Sequence, residues 1–430
     1  MKILTAKKGL LILFFLFEYI FALTQPEQIH LTLKFHAGNG PFEYALPAIK
    51  WNDTLIASKS YPEFKNIPSD LRDIKRGRIY FNIRQYLFQN YLEGKLSKKD
   101  FEKIKNESHI KFSDFSLAKG NIKCYVNIIS AKNEKGETVC MIDANNNYDF
   151  SDDNIFIPLS DSLPDQELNR HLANVVSQRF LNGKIVNETT PLLIAKDGSA
   201  LGYSIAQYAT ASLNIEGKRY DLAVCPLYFM SGTWNNSQIV LLTDSLKTKK
   251  AGRELIVGNG GFIKIGNNIY KFNGVDISKN LLSLQKISSN NLHSSQVGFL
   301  APLFKSKNLL TNNDISLASY KGKYVLIDFW GTWCQPCRQQ LPELVKLNNS
   351  VDSSRFVLIS IASSDVLDSL KKVIAKENMI WPQIFSDKIT KQYHIDAFPT
   401  TLLINPNGIV IAKDLSMDDL KEKLSNLGIL

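Results

Sequence analysis

Cysteine is scarce in this chain, with five in 430 residues. A small disulfide-stapled scaffold needs a dense and even set, so that class is excluded. Lys and Arg outnumber Asp and Glu by 51 to 41, yet the excess forms no concentrated block. A general nucleic-acid role is therefore not indicated, and the formal charge of +10 implies only a mild bias toward anionic partners or a membrane face. Beyond the N-terminus there is no second long apolar run, so no further membrane-spanning helix is expected. No internal repeat is found, which leaves no basis for a repeat architecture.

What is present is ample apolar material, 44% of the chain, in a length that suggests two to three domains. The first residues set the expected compartment. Lys2, Lys7 and Lys8 form a basic leader, and residues 9–17 are mostly apolar, resuming after Glu18 through Leu23. The run is short and interrupted for a membrane span, which needs about 20 apolar residues. It fits a secretory signal over residues 1–24, so the mature chain is expected outside the cytosol with no stable membrane insertion. No cysteine follows the run, which argues against a lipid anchor.

Residues 25–160 read as an α+β region. Residues 29–35 alternate like a strand, residues 81–93 read as a helix, and a basic helix follows over 97–106 with Ser97 as its cap. Residues 123–142, broken at 133–136, read as a hairpin. Residues 161–287 are β-rich and may form one domain with the former. Residues 211–215 and 220–224 flank Glu216-Gly217-Lys218, and residues 262–265 and 269–272 flank Gly266-Asn267-Asn268. Both are hairpin signatures, because the turn needs residues that reach positive φ. A polar linker is expected over 288–296.

The pattern changes over 297–430. Residues 324–330 form a near-continuous apolar run, expected of a strand buried on both faces. A helix should run from just past Cys334 to about Asn349. Another strand is expected at 356–361, a helix at 366–377, a hairpin over 401–412 and a closing helix at 417–427. That order implies a mixed sheet with helices on both faces.

Cys334-Gln335-Pro336-Cys337 stands where the strand turns into the helix. A helix N-terminus carries unpaired N–H groups and the positive end of the dipole, so it stabilises a thiolate at Cys334. The spacing lets Cys337 reach back one turn. Pro336 fits the first turn, where its missing N–H costs nothing. A structural disulfide gains little from so short a loop. A zinc site lacks a second ligand pair nearby. A peroxidase would want Thr two intervening residues before its Cys, and Thr332 is one away.

The segment 325–338, VLIDFWGTWCQPCR, with Leu341-Pro342-Glu343-Leu344 after it and Tyr320-Lys321-Gly322-Lys323 before it, resembles the active-site region of the thioredoxin superfamily. Within it, the segment resembles the extracytoplasmic TlpA/ResA-like branch. Phe398-Pro399-Thr400 resembles that family's cis-proline loop, and cis peptides are essentially a proline feature. The resemblance covers 297–430 and leaves 25–296 unread. It implies a thioredoxin fold after a β-rich α+β region. It also implies a thiol–disulfide oxidoreductase acting on protein disulfides in the periplasm or cell envelope, in the reducing direction, fed by a membrane electron donor. No cofactor is implied beyond the redox-active Cys334–Cys337 pair. Pro399 would guide substrate, with Trp333, Gln335, Pro336, Phe398 and Thr400 in contact. Two positions depart from the branch, Gln340 where Glu is frequent and Asp328 where Asn is frequent. A carboxyl buried at 328 could take the proton of Cys337, so Asp328 is expected to be the proton acceptor. A reading of another class remains open, in which the N-terminal region is the functional, partner-binding module and the redox domain is accessory.

Asp143, Asn145, Asn147 and Asp149, with Asp152 and Asp153 after them, space oxygens like a calcium loop. Tyr148 stands where such a loop wants Gly, and an Asn/Asp-rich turn explains the run equally well. Cys124, Cys140 and Cys225 are expected to be buried thiols. His394 reads as a helix-end residue, and Trp381 as packing around the site or the core.

Overall fold

The computed structural model describes residues 27–51, 63–107, 117–198, 200–226, 234, 236–247, 249–287, 292–395 and 397–430. The expected leader over 1–24 lies outside these residues. Among the described residues no helix is long and apolar enough to cross a membrane. They divide into two compact units, the second beginning at Ile287 and also holding Gly252–Ile256.

The first unit is strand-rich. The alternating stretch 29–35 is not one strand. Gln28–Thr32 pairs with Leu281–Ile287, whereas Lys34–Ala37 pairs with Gln207–Ile215. Leu33 turns the chain between two sheets, buried, with its N–H on Asn280 O at 2.8 Å. Those sheets share a core that includes Leu33, Leu222, Trp234 and Phe272. Residues on both sides of 160 therefore belong to one compact unit. A second core, with Ile79, Ile128, Leu192 and Ile194, lies between the strands Arg72–Tyr80, Tyr125–Lys132 and Thr138–Ile142 and those of the Ala173–Leu181, Lys184–Asp197 and Ala200–Ile205 sheet. The basic helix is Lys98–Glu107, and Ser97 Oγ accepts the Asp100 N–H as its cap.

In the second unit β1 (Lys305–Lys307) and β2 (Asp314–Ser316) form a short hairpin. The rest alternates: β3 (Tyr324–Trp330), α1 (Gln335–Ser350), β4 (Phe356–Ala362), α2 (Leu367–Lys376), β5 (Gln383–Phe385), α3 (Asp387–Gln392), β6 (Thr400–Ile404), β7 (Val410–Lys413) and α4 (Met417–Asn426). β5 and α3 were not legible in the sequence. The sheet order is β5-β4-β3-β6-β7, with β3 parallel to β4 and antiparallel to β6. This is the mixed sheet of a thioredoxin fold, with β3 at its centre.

Both faces of β3 are covered, which is why its run is apolar apart from Asp328. Leu326 and Trp330 point into the core formed with Leu341, Leu344 and Leu347 of α1, and with residues of α2 and α4. Val325, Ile327 and Phe329 point the other way, toward Ile389 of α3, Tyr393 and the approach segment around Phe304. Each such side chain contributes roughly 1.5–3 kcal/mol on burial. α1 runs through Pro342, which lacks a backbone N–H. Buried Leu341, Leu344 and Leu347 on its inner face hold the helix across that defect. Of the expected linker, Ser294 to Gln296 fold into this unit. Ser295 is buried, its hydroxyl on Tyr393 O at 2.7 Å.

Candidate active site

Cys334 is the N-cap residue of α1, and its Sγ accepts the Cys337 N–H at 3.2 Å. The two cysteines form a disulfide with Cα atoms 5.3 Å apart. Both are buried, while Gln335 and Pro336 between them are exposed. After reduction the sulfur at Cys334 faces unpaired N–H groups and the helix dipole, the setting that favours thiolate.

The loop before the disulfide is fastened at several points. Asp365, between β4 and α2, accepts both the N–H and the hydroxyl of Thr332, at 2.5 and 2.6 Å. Trp333 folds back so that its indole N–H reaches Ser363 O at 3.2 Å. Gly331 makes that possible, since a Cβ there would stand 2.6 Å from Trp333 Nε1. The Trp333 ring remains 54% exposed and meets Phe398 edge-on, with ring centres 5.2 Å apart.

Strand register brings the proline loop to the same place. Phe329 of β3 stands opposite Thr400 of β6 in an antiparallel pair. One step further along β3 and one step back from β6 lead to Trp330 and Pro399. The Phe398–Pro399 bond is cis. Thr400 is buried, and its hydroxyl bonds Ala397 O at 2.9 Å, so that group closes its own loop.

Asp328 alternates with Leu326 and Trp330, so its side chain lies on the face of β3 that α1 covers. It is 1% exposed. Ser360, its register partner on β4, donates a hydroxyl hydrogen bond to Oδ2 at 2.9 Å. Trp381 Nε1–H in turn donates to Ser360 Oγ at 2.9 Å. Burial pushes the Asp328 carboxyl up to about 7, with the Ser360 hydroxyl offsetting part of the rise.

The comparisons with known proteins bear on this same segment. A family model described as the AhpC/TSA family matches residues 297–413. The thioredoxin-like protein YneN of Bacillus subtilis (strain 168) is 33% identical over 118 residues, spanning 27% of this chain and 69% of that protein. The chain belongs to the thioredoxin superfamily, in its ResA-like branch. The thiol-disulfide oxidoreductase ResA of Geobacillus thermodenitrificans (strain NG80-2) is 27% identical over 136 residues, 30% of this chain and 78% of that protein. A solved thioredoxin domain of a Bacteroides vulgatus thiol-disulfide oxidoreductase is 32% identical, covering 30% of this chain and 96% of that chain at a TM-score of 0.29. On the curated relatives YneN and ResA, the general chemistry of this ResA-like domain is thiol–disulfide redox chemistry.

Ser360 and Asp365 were not visible in the sequence, and Trp381 was read there only as packing around the site or the core. The three lie 26, 31 and 47 positions after Cys334, and strand register and loop packing bring them in. Gln340, the departure on α1, has a buried Oε1 with no hydrogen-bond partner. His394 lies exposed just past α3, in left-handed backbone at φ 51°. Trp381 is a core residue of the domain.

In the first unit the Asp/Asn loop turns its oxygens onto its own backbone. Asp143 accepts the Asn147 and Tyr148 N–H groups at 2.8 and 3.2 Å, and Asp153 accepts the Ala144 N–H at 3.0 Å. Among the described residues no group of three or more His, Cys, Asp or Glu is arranged to hold a metal ion. Cys124, Cys140 and Cys225 are free and buried, and burial raises all three thiols, the first two to about 12.

Proposed function

We propose that this chain is a thiol–disulfide oxidoreductase that reduces protein disulfides in the cell envelope. The observation that carries the reading is the placement of Cys334 as the cap of α1, with its sulfur on the Cys337 N–H and Cys337 as its disulfide partner. In the reduced enzyme the Cys334 thiolate attacks one sulfur of the substrate disulfide. A Cys334–substrate bond forms and the first substrate thiolate leaves, taking a proton from solvent. Asp328, as carboxylate, accepts the Cys337 S–H proton. The Cys337 thiolate then attacks Cys334 Sγ, the enzyme disulfide forms, and the second substrate thiolate departs. Two electrons pass from dithiol to substrate.

The oxidised pair must be reduced again by a dithiol donor, for which a membrane electron donor is the fitting class. The relatives named ResA are thiol-disulfide oxidoreductases, which supports the exchange chemistry; the envelope compartment and the reducing direction follow from the family resemblance of the sequence. Pro399 offers backbone to an extended substrate beside the disulfide, and exposed Trp333, Gln335 and Pro336 with Phe398 form the surface it meets.

The test is capture. Cys337→Ala should accumulate mixed disulfides through Cys334, read by mass spectrometry, and Cys334→Ala should accumulate none. Equal yields from both variants would end this reading.

A second reading rests on an observation in the first unit. A cavity of about 760 Å³ there is lined by Ile49, Trp51, Lys75, Lys132 and Lys196 among others. Its size falls in the range of ligand sites. It favours a partner- or ligand-binding role for this unit, with the redox domain accessory.

A further inference from the structure

We propose that Ser360, held in place by Trp381, is the positioning residue that aims Asp328 at the Cys337 proton. This rests on the role given to Asp328 above. The direction of the hydrogen-bond chain follows from its chemistry. An indole N–H can only donate. Trp381 therefore occupies a lone pair of Ser360 Oγ, at 2.9 Å, and the single hydroxyl proton of Ser360 is left for Asp328 Oδ2, also at 2.9 Å. The hydrogen bond engages Oδ2 and so orients the carboxyl. The chain thus sets the rotamer of Asp328 and how strongly the carboxylate holds its charge.

The surroundings give Ser360 unusual leverage. The face that holds Asp328 is packed with Leu326, Trp330, Leu358 and Leu403 from the sheet. α1 contributes Cys334 and Cys337, the titratable members of that cluster, together with leucines. α2 presents Leu370 and Ile374, and α4 presents Leu420 and Leu424. From β6, Thr401 stands opposite Asp328, and its N–H is met by the exposed carboxylate of Asp414 at 3.3 Å. Among the described residues, burial and the Ser360 hydroxyl are the influences on Asp328, and no cation is among them. Burial raises its proton affinity, and the Ser360 hydroxyl is the contribution that lowers it. A neutral hydroxyl offsets only part of the desolvation, so the group stays poised near neutrality rather than locked as an anion.

The experiment uses the reduced full chain and insulin as the disulfide substrate, with single-turnover rates measured from about pH 5 to about pH 9. Asp328→Asn defines the limb of the profile that belongs to Asp328, because that limb should vanish. Ser360→Ala should keep the limb and move it upward by about one to two pH units, the size set by losing a hydrogen bond to a charged group. Trp381→Phe should move it the same way by less. Ser360→Thr, which keeps the hydroxyl, should return it to its original position. Trp381→Phe carries the test if Ser360→Ala does not fold. An unmoved limb in Ser360→Ala or Trp381→Phe, with the limb lost in Asp328→Asn, overturns the positioning role and leaves the Asp328 assignment intact. A limb that survives Asp328→Asn overturns both.

Discussion

Replacing Asp328 with asparagine keeps the size of the side chain and removes its charge. In the folded domain the carboxyl is buried and its pKa is raised to about 7, against an ordinary value of 3.8. The folded state therefore holds a proton that the unfolded chain has released over the interval between those values. Stability falls with rising pH wherever the native state binds more protons. The contribution of Asp328 is thus most favourable below about pH 4, is lost as pH rises toward 7, and levels off above that. Three pKa units at 1.36 kcal/mol each amount to about 4 kcal/mol at the plateau. Asp328→Asn carries no such penalty. The variant should match wild type near pH 4 and exceed it by an amount that grows to about 4 kcal/mol above pH 7.

Urea unfolding of the oxidised full chain, followed by tryptophan fluorescence at several pH values, reads this directly. The disulfide removes the cysteines from the titration, and Trp330, Trp333 and Trp381 all report from the second unit. The transition that responds to the substitution belongs to that unit. A difference that stays flat between about pH 4 and pH 8 would mean that burial does not hold the carboxyl protonated.

Other expectations follow from single contacts. Trp333→Ala removes the exposed ring that meets Phe398, and should lower kcat/KM for a protein disulfide by about 2–10-fold. An equal loss on a small aromatic disulfide would point instead to collapse of the loop. Ser416→Ala removes the hydroxyl that accepts the Asp419 N–H at 3.1 Å and caps α4, and should cost about 1 kcal/mol in unfolding experiments. Cys124, Cys140 and Cys225 should resist maleimide at neutral pH in the native chain and all react in urea, because burial holds them as thiols. Rapid native labelling of any of the three would contradict that.

The first unit shows where reading the chain falls short. Its hairpins announced themselves, because turns such as Glu216-Gly217 need left-handed backbone, and both residues adopt it at φ 50° and 77°. Pairing between distant strands left no such mark. The alternation through residues 29–35 continues across Leu33, although the chain changes sheets there. Period-two alternation says which side chains are buried and nothing about which strand lies alongside. Sheets built from residues 28 and 285 together cannot be inferred from either segment alone.

The candidate site divides along the same line. Cys334, Cys337, Pro336 and the helix they open form one contiguous signal, since capping and helix-start chemistry are local. Pro399 was readable at a distance because Phe398-Pro399-Thr400 resembles the family's cis-proline loop, and the bond is cis here. Asp328 was readable because it stands where the resembling branch often has Asn, a charged residue inside an otherwise apolar strand. Ser360 and Trp381 carried no such mark, since a serine in a strand and a tryptophan before a proline are ordinary in sequence. What gives them meaning is the parallel register that sets Ser360 beside Asp328 and the packing that brings an indole N–H to its hydroxyl. The nucleophile of such a site is written locally, whereas the proton affinity of its acid is set by neighbours that the fold assembles. Substitutions at Ser360 should therefore change the pH dependence of exchange while leaving the Cys334–Cys337 signature in the sequence untouched.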